Sequence, residues 1–185
     1  MRASRSSGVA LPRPPGRRPL PGHEVDPVAL LAREHQVILE RLHLIELAVA
    51  PRPDARGART LDRATLRELL DFFTDRVSVH FEREAVLISA LSRALSGSGH
   101  GRAGFESLLA EHRALKAEAL RLAGRLEAGR SRAAGAEAAD LARLRAFVWH
   151  YRTHIAWEER ILFLLARVRL TDEQRARIGD RMLAV

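Results

Sequence analysis

The chain has no cysteine. That excludes disulfide staples, thiolate zinc sites, iron–sulfur clusters and thiol catalysis, and it leaves nitrogen and oxygen as the ligands for any metal. Long hydrophobic runs are also missing. The longest purely apolar stretch, Ile161 to Ala166, falls far short of the roughly 20 residues that cross a bilayer, so no membrane span is expected. There is no strand-like alternation, glycine-rich nucleotide loop, nucleophile elbow or cysteine–histidine finger. Acidic residues are absent from residues 1–22, which hold five arginines, five prolines and three glycines. This tail carries +5 of the net charge of +8 and leaves +3 for the rest, which argues against nucleic acid as the partner of the folded part. Such a composition cannot build a packed core, so residues 1–24 are expected to be a disordered Arg/Pro-rich tail, open to a protein partner. Arg17-Arg18 leads into proline and glycine rather than an apolar stretch, and a cytoplasmic location is the expectation.

What is present is helical periodicity. With 46% hydrophobic and 29% charged residues, residues 25–185 suffice for one domain. Four segments space their apolar residues alternately three and four apart, the pattern of helices packed in a bundle. The first is expected from Asp26-Pro27 to about Ala50, with the seam Leu31, His35, Ile38, Leu42, Ile45, Val49. The second runs from about Asp62 to Leu95 through Leu66, Leu70, Phe73, Val77, His80, Glu84, Leu87 and Leu91, and Ser96-Gly97-Ser98-Gly99 ends it. The third runs from about Ala103 to Ala128 through Phe105, Leu108, His112, Leu115, Ala119, Leu122 and Leu126, with Gly129 and Gly135 bracketing the next turn. The fourth runs from about Ala136 to Arg169 through Leu144, Phe147, Tyr151, His154, Glu158, Ile161, Leu165 and Val168. Thr171 and Gln174 form a capping-box pattern for a short fifth helix that Ile178 and Met182 can lay against the others. Linkers of roughly 7 to 12 residues make consecutive helices antiparallel neighbours. The fold class is all-α, an up-down-up-down four-helix bundle.

Six polar residues interrupt these apolar seams: His35, His80, Glu84, His112, His154 and Glu158. Seam positions face the interior, where an unpaired carboxylate or imidazolium costs several kcal/mol, so something must compensate them. At about 1.5 Å of rise per residue in antiparallel helices, all six fall within roughly two turns of one another. His80 with Glu84 and His154 with Glu158 are spaced to share one helical ridge. Four imidazoles and two carboxylates suit iron better than calcium or magnesium, and they exceed the shell of one tetrahedral zinc. Two metals fit better than one. Two ferrous ions against two glutamates leave positive charge that favours a bridging hydroxide and an oxygen-derived or nitric oxide ligand.

These motifs, Glu34-His35, His80-Phe81-Glu82-Arg83-Glu84, Glu111-His112 and His154-Ile155-Ala156-Trp157-Glu158-Glu159, resemble the hemerythrin-like, HHE cation-binding family over about residues 26–185. The resemblance implies a centre of two non-haem irons with an oxo or hydroxo bridge and both glutamates bridging. The family's oxygen carriers have a further histidine one turn after that of the third helix and an aspartate on the fourth. Lys116 and Glu158 stand there, so reversible oxygen carriage is not implied. His150, one turn before His154, is a candidate substitute ligand, and Lys116 can snorkel from the metal-facing side.

The alternative for the two His-x-x-x-Glu pairs is exposed helical ion pairs, worth about 0.2–0.5 kcal/mol each. Four helices contributing at one depth weigh against it. His43, flanking the first seam, reads as a partly exposed surface residue, and His23 and His100, in the tail and a loop, read as solvated. Phe73, Phe81, Phe147, Trp149 and Trp157 read as packing residues. Tyr151, one turn from His154, reads as core packing with a wet hydroxyl, with a hydrogen bond donated to a bound ligand as the other option, and Glu111 and Glu159 read as exposed acids with hydrogen bonding to the ligands as the other option. The leading functional expectation is a binding module for oxygen or nitric oxide, for storage, delivery or sensing, rather than an enzyme. The alternative is a stress-response enzyme acting on peroxide or nitric oxide, or repairing damaged iron centres.

Overall fold

The computed structural model describes residues 25–50, 63–95, 99–128 and 134–185. The expectations for the tail, for His23 and for the breaks at 51–62, 96–98 and 129–133 lie outside these residues. Helices account for nearly everything described: α1 Pro27–Val49, α2 Arg63–Ala94, α3 Gly99–Ala128, α4 Ala134–Trp157, α5 Phe163–Arg169 and α6 Asp172–Leu183. A π-helical turn, Glu158–Leu162, joins α4 to α5. Among the described residues there is no strand, and no helix is long and apolar enough to cross a membrane. α1 packs on α2 and α4, and α3 on α2 and α4, which is the ring of antiparallel neighbours expected of an up-down-up-down bundle. α6 closes one end against α1 and α2.

The helix signals act as expected at both chain ends of the bundle. Asp26 accepts from the backbone N–H of Val28 at 2.8 Å, with Pro27 at the first helical position. Thr171 and Gln174 complete their capping box, and Ile178 and Met182 are buried. Two boundaries differ. α3 starts at Gly99, four residues before Ala103, so His100 lies in its first turn rather than in a loop, and Gly135 lies inside α4. Glycine costs only about 1 kcal/mol in a helix, an amount that continuing an amphipathic helix overrides. The connections α2–α3 and α3–α4 are correspondingly shorter than expected.

Every seam residue read from the sequence on α1, α2 and α3 is buried, as is the fourth seam as far as Glu158. Beyond Glu158 the fourth seam is displaced by one position. Leu162, Phe163 and Ala166 are buried, Ile161 and Leu165 are only partly covered, and Val168 is 67% exposed. The π-helical turn is the cause, because it inserts one residue and rotates the later side chains by about 100° relative to an unbroken α-helix.

The apolar interior is split in two. One cluster runs from Ile38, Val77, Leu115 and Tyr151 toward the end holding the α1–α2 connection. The other gathers Leu31, Leu87, Leu108, Leu162 and Phe163 with Ile178 and Met182 of α6. The six polar seam residues lie between them in sequence on every long helix. α6 and the start of α1 approach closely: a Cβ at Gly179 would collide with the carbonyl of Val25, where the chain enters α1. Backbone cannot swing aside, so Gly179→Ala is expected to cost about 1–3 kcal/mol, read as a lower midpoint in urea unfolding.

Candidate metal centre

The helices bring all six seam residues together. His35, Glu84 and Glu158 are 0% exposed, and His80, His112 and His154 no more than 6%. Each histidine turns Nε2 toward the glutamates. His35 Nε2 lies 3.6 Å from Glu84 and 3.4 Å from Glu158, and His80 Nε2 is 3.4 Å from Glu84. His112 Nε2 is 3.3 Å from Glu84 and 3.0 Å from Glu158, which also lies 3.0 Å from His154 Nε2. The atoms form two overlapping groups, His35, His80, Glu84 and Glu158 on one side and His112, His154 and Glu158 on the other. Glu158 belongs to both, and Glu84 reaches His112 across the divide.

His112 Nε2 meets Glu158 with hydrogen-bond geometry. Among the described residues, His35 Nε2, His154 Nε2, both oxygens of Glu84 and Glu158 Oε2 are buried without a hydrogen bond. Orphaned buried polar atoms are costly, and a cation among them would satisfy them. The donor set therefore fits a cation site built from imidazole nitrogens and carboxylate oxygens. The electrostatics agree. Burial alone would raise the Glu158 carboxyl, yet His112, His154 and His35 hold it well below its ordinary value. Burial would lower His35, but Glu158 and Glu84 outweigh it and raise that imidazole to about 10. His154 is likewise raised against burial, mainly by Glu158. The pocket calls for positive charge.

The outward nitrogens explain how the rings are aimed. His80 Nδ1 is 2.9 Å from Glu34, His154 Nδ1 3.1 Å from Glu111, and His35 Nδ1 3.1 Å from Glu159. When a cation takes the place of the Nε2 proton, a carboxylate accepting the Nδ1 proton fixes the ring and leaves the Nε2 lone pair facing the centre. Glu111 and Glu159 thus take the hydrogen-bonding option while remaining partly open to solvent, with side chains 58% and 40% exposed. Glu34 was missed by sequence reasoning. The three acids share one signal: each adjoins a seam ligand in sequence and crosses to the histidine of the neighbouring helix. Glu34 is held in turn by the Arg83 guanidinium, whose Nε donates to the carbonyl of Met182 at 3.1 Å. Burial would raise Glu34, and His80 followed by Arg83 lowers it. Glu34→Gln is expected to weaken metal affinity about 10–100-fold without abolishing it, measured by competition with a chelator of known affinity.

His112 is the exception. Among the described residues its Nδ1 has no hydrogen-bond partner, and Phe81, the neighbour of His80 on α2, stacks on its ring at 4.1 Å and 9°. The π-helical turn places another ring: Phe163, whose N–H donates to the Glu158 carbonyl, stacks on His35 at 5.3 Å. Phe81 and Phe163 therefore do more than fill the core. His150 is exposed beside Trp149 and belongs to neither group. Lys116 is exposed, and Leu115 takes the inward position. His43 is exposed as expected, and so are Trp149 and Trp157, which the sequence reading had assigned to packing. The two tryptophans flank a groove of about 570 Å³ between α3 and α4 that reaches Glu111 and His154.

The chain matches the hemerythrin HHE cation binding domain over residues 26–166, a span that contains all six inward residues and stops short of α6. No curated protein and no solved structure matches the chain. The family match covers most of the sequence and coincides with the buried His/Glu centre, and the chain belongs to the hemerythrin HHE cation-binding domain family.

Proposed function

We propose that the chain holds two non-haem iron ions between its helices and uses them to bind oxygen or nitric oxide, for storage, delivery or sensing. The observation that carries this reading is the composition of the centre: four imidazoles and only two carboxylates, in two groups that share Glu158. A nitrogen-rich shell favours iron over calcium or magnesium, and the low carboxylate count leaves net positive charge for an electron-rich small ligand. Iron would supply reversible electron donation to that ligand. The protein's part is to fix the Nε2 lone pairs through Glu34, Glu111 and Glu159, to share Glu158 across the centre, and to enclose it between two apolar layers. The groove beside His154 offers small molecules an approach.

The test is metal analysis of protein from iron-supplemented cells, followed by optical titration of the reduced protein with oxygen and with nitric oxide. Two irons per chain and a new absorption band with either gas are the expected results. Zinc alone, or loaded protein with no spectral response to either gas, would overturn the reading. One observation favours the enzymatic alternative. Glu111, more than half exposed and bonded to His154, links a buried ligand to solvent and could pass protons in turnover of peroxide. Multiple turnovers of peroxide that fall away in Glu111→Gln at unchanged iron content would favour that reading.

A further inference from the structure

Tyr151 is the one tyrosine of the chain, and it is 1% exposed. Among the described residues its hydroxyl has no hydrogen-bond partner. Its packing does not require that hydroxyl. The ring meets Phe73 and Phe147 edge-on at 5.0 and 4.9 Å and lies parallel to Phe81 at 6.5 Å, contacts a phenylalanine would make equally well. A buried, unpaired hydroxyl is a cost to the fold, and a group kept at such a cost calls for a partner.

The position says where that partner lies. Tyr151 occupies the seam of α4 one turn before His154, in the apolar layer adjoining the centre. Phe81, parallel to the Tyr151 ring, is itself stacked on His112. Tyr151 thus borders the His112/His154 side. That side is the less filled, with three converging residues against four on the side of His35 and His80. It also contains the one imidazole whose outer nitrogen no carboxylate fixes. Burial and the charges of Glu158 and Glu84 push the phenol's pKa up, so the hydroxyl stays protonated and can only gain from an electron-rich neighbour.

We propose that the Tyr151 hydroxyl donates a hydrogen bond to a small oxygen- or nitrogen-donor ligand held on the His112/His154 side of the centre, and that it slows the ligand's release. This rests on the two-metal reading above. It assigns the open position to one side and gives it a donor on the protein.

The experiment compares wild type with Tyr151→Phe, both loaded with ferric iron, using azide as the probe. Iron content and the unfolding midpoint are measured first, then azide affinity, then the azide stretching band in water and in deuterium oxide. The variant is expected to keep its iron and be no less stable, because it loses only an unpaired hydroxyl. It should bind azide about tenfold more weakly and lack the solvent-isotope shift of the band seen in wild type. Two irons retained with unchanged azide affinity and an unchanged isotope shift would make Tyr151 a packing residue and overturn the proposal. A visible phenolate-to-iron band in azide-free wild type, lost in the variant, would make Tyr151 a ligand rather than a donor and would also overturn it. Wild type without iron would instead remove the two-metal reading, before any azide is added.

Discussion

Glu158→Ala is expected to abolish metal binding on both sides of the centre, whereas His112→Ala should leave one metal in place. The difference follows from connectivity. Glu158 contributes to both groups of converging atoms and sits within 3.4 Å of three of the four histidines. His112 belongs to one group, and its removal leaves His35, His80, Glu84 and Glu158 together. Loss of the shared carboxylate should weaken binding more than the roughly 10–100-fold typical of removing an outer hydrogen-bond partner. Metal per chain, measured after gel filtration at fixed free metal, separates the outcomes. Equal loss in the two variants would mean that the two sides fill only as a unit. No loss in Glu158→Ala would mean that the metal sits elsewhere. Glu158→Ala also leaves buried imidazoles without their main counter-charge, so metal content must be compared in protein shown to be folded by its helical circular dichroism.

The fold was legible because a four-helix seam is a strong periodic signal. His35, His80, His112 and His154 could be assigned to the interior only because nearby apolar residues set the phase: Leu31 and Ile38, Val77 and Leu87, and Leu108 and Leu115 on either side of the first three, and Phe147 and Tyr151 ahead of His154. That phase holds only while the helix keeps its pitch. The π-helical turn at Glu158–Leu162 breaks it without a proline, a glycine or any other residue that advertises the change, so Ile161, Leu165 and Val168 were given places that Leu162, Phe163 and Ala166 take. The adjacent residues Glu158 and Glu159 both serve the centre, one inside and one at Nδ1 of His35, as the pairs Glu34–His35 and Glu111–His112 do on unbroken α-helices.

The carboxylates around the histidines were harder to read for a different reason. Helical periodicity reports which face of its own helix a residue occupies, and Glu34, Glu111 and Glu159 lie off the seam. Their partners are on the next helix around the bundle: α1 to α2 for Glu34, α3 to α4 for Glu111, and the π-helical turn back to α1 for Glu159. In the α2 to α3 step Phe81 takes the equivalent place. The centre therefore has three imidazoles aimed by hydrogen bonds and one, His112, positioned by stacking. Only geometry across helices shows this.

Metal loading is expected to raise the unfolding temperature by roughly 15–30 °C. A ligand that binds only the folded chain stabilises it by about 4 kcal/mol per site at a thousandfold excess over its dissociation constant, and a domain of this size gains about 2–4 °C per kcal/mol. The increment should also depend on pH. In the metal-free protein His35 is raised to about 10, so the stability it contributes is full below its ordinary value near 6.5 and is lost as pH rises through about 10. Glu158 is depressed, so its contribution is present above its ordinary 4.5 and lost as pH falls through its lowered value. The metal-free form therefore weakens from neutral toward alkaline pH, as its imidazolium–carboxylate contacts lose their protons. A bound cation replaces those protons, and its ligands bind it more tightly as competition from protons declines. Thermal scans with and without a chelator at pH 6, 7 and 8 should show the gap widening with pH. A gap that is constant or narrows would mean that the protons held by this cluster are not the ones the metal displaces. The polar layer between the two apolar clusters would then be stabilised by something other than a cation in its middle.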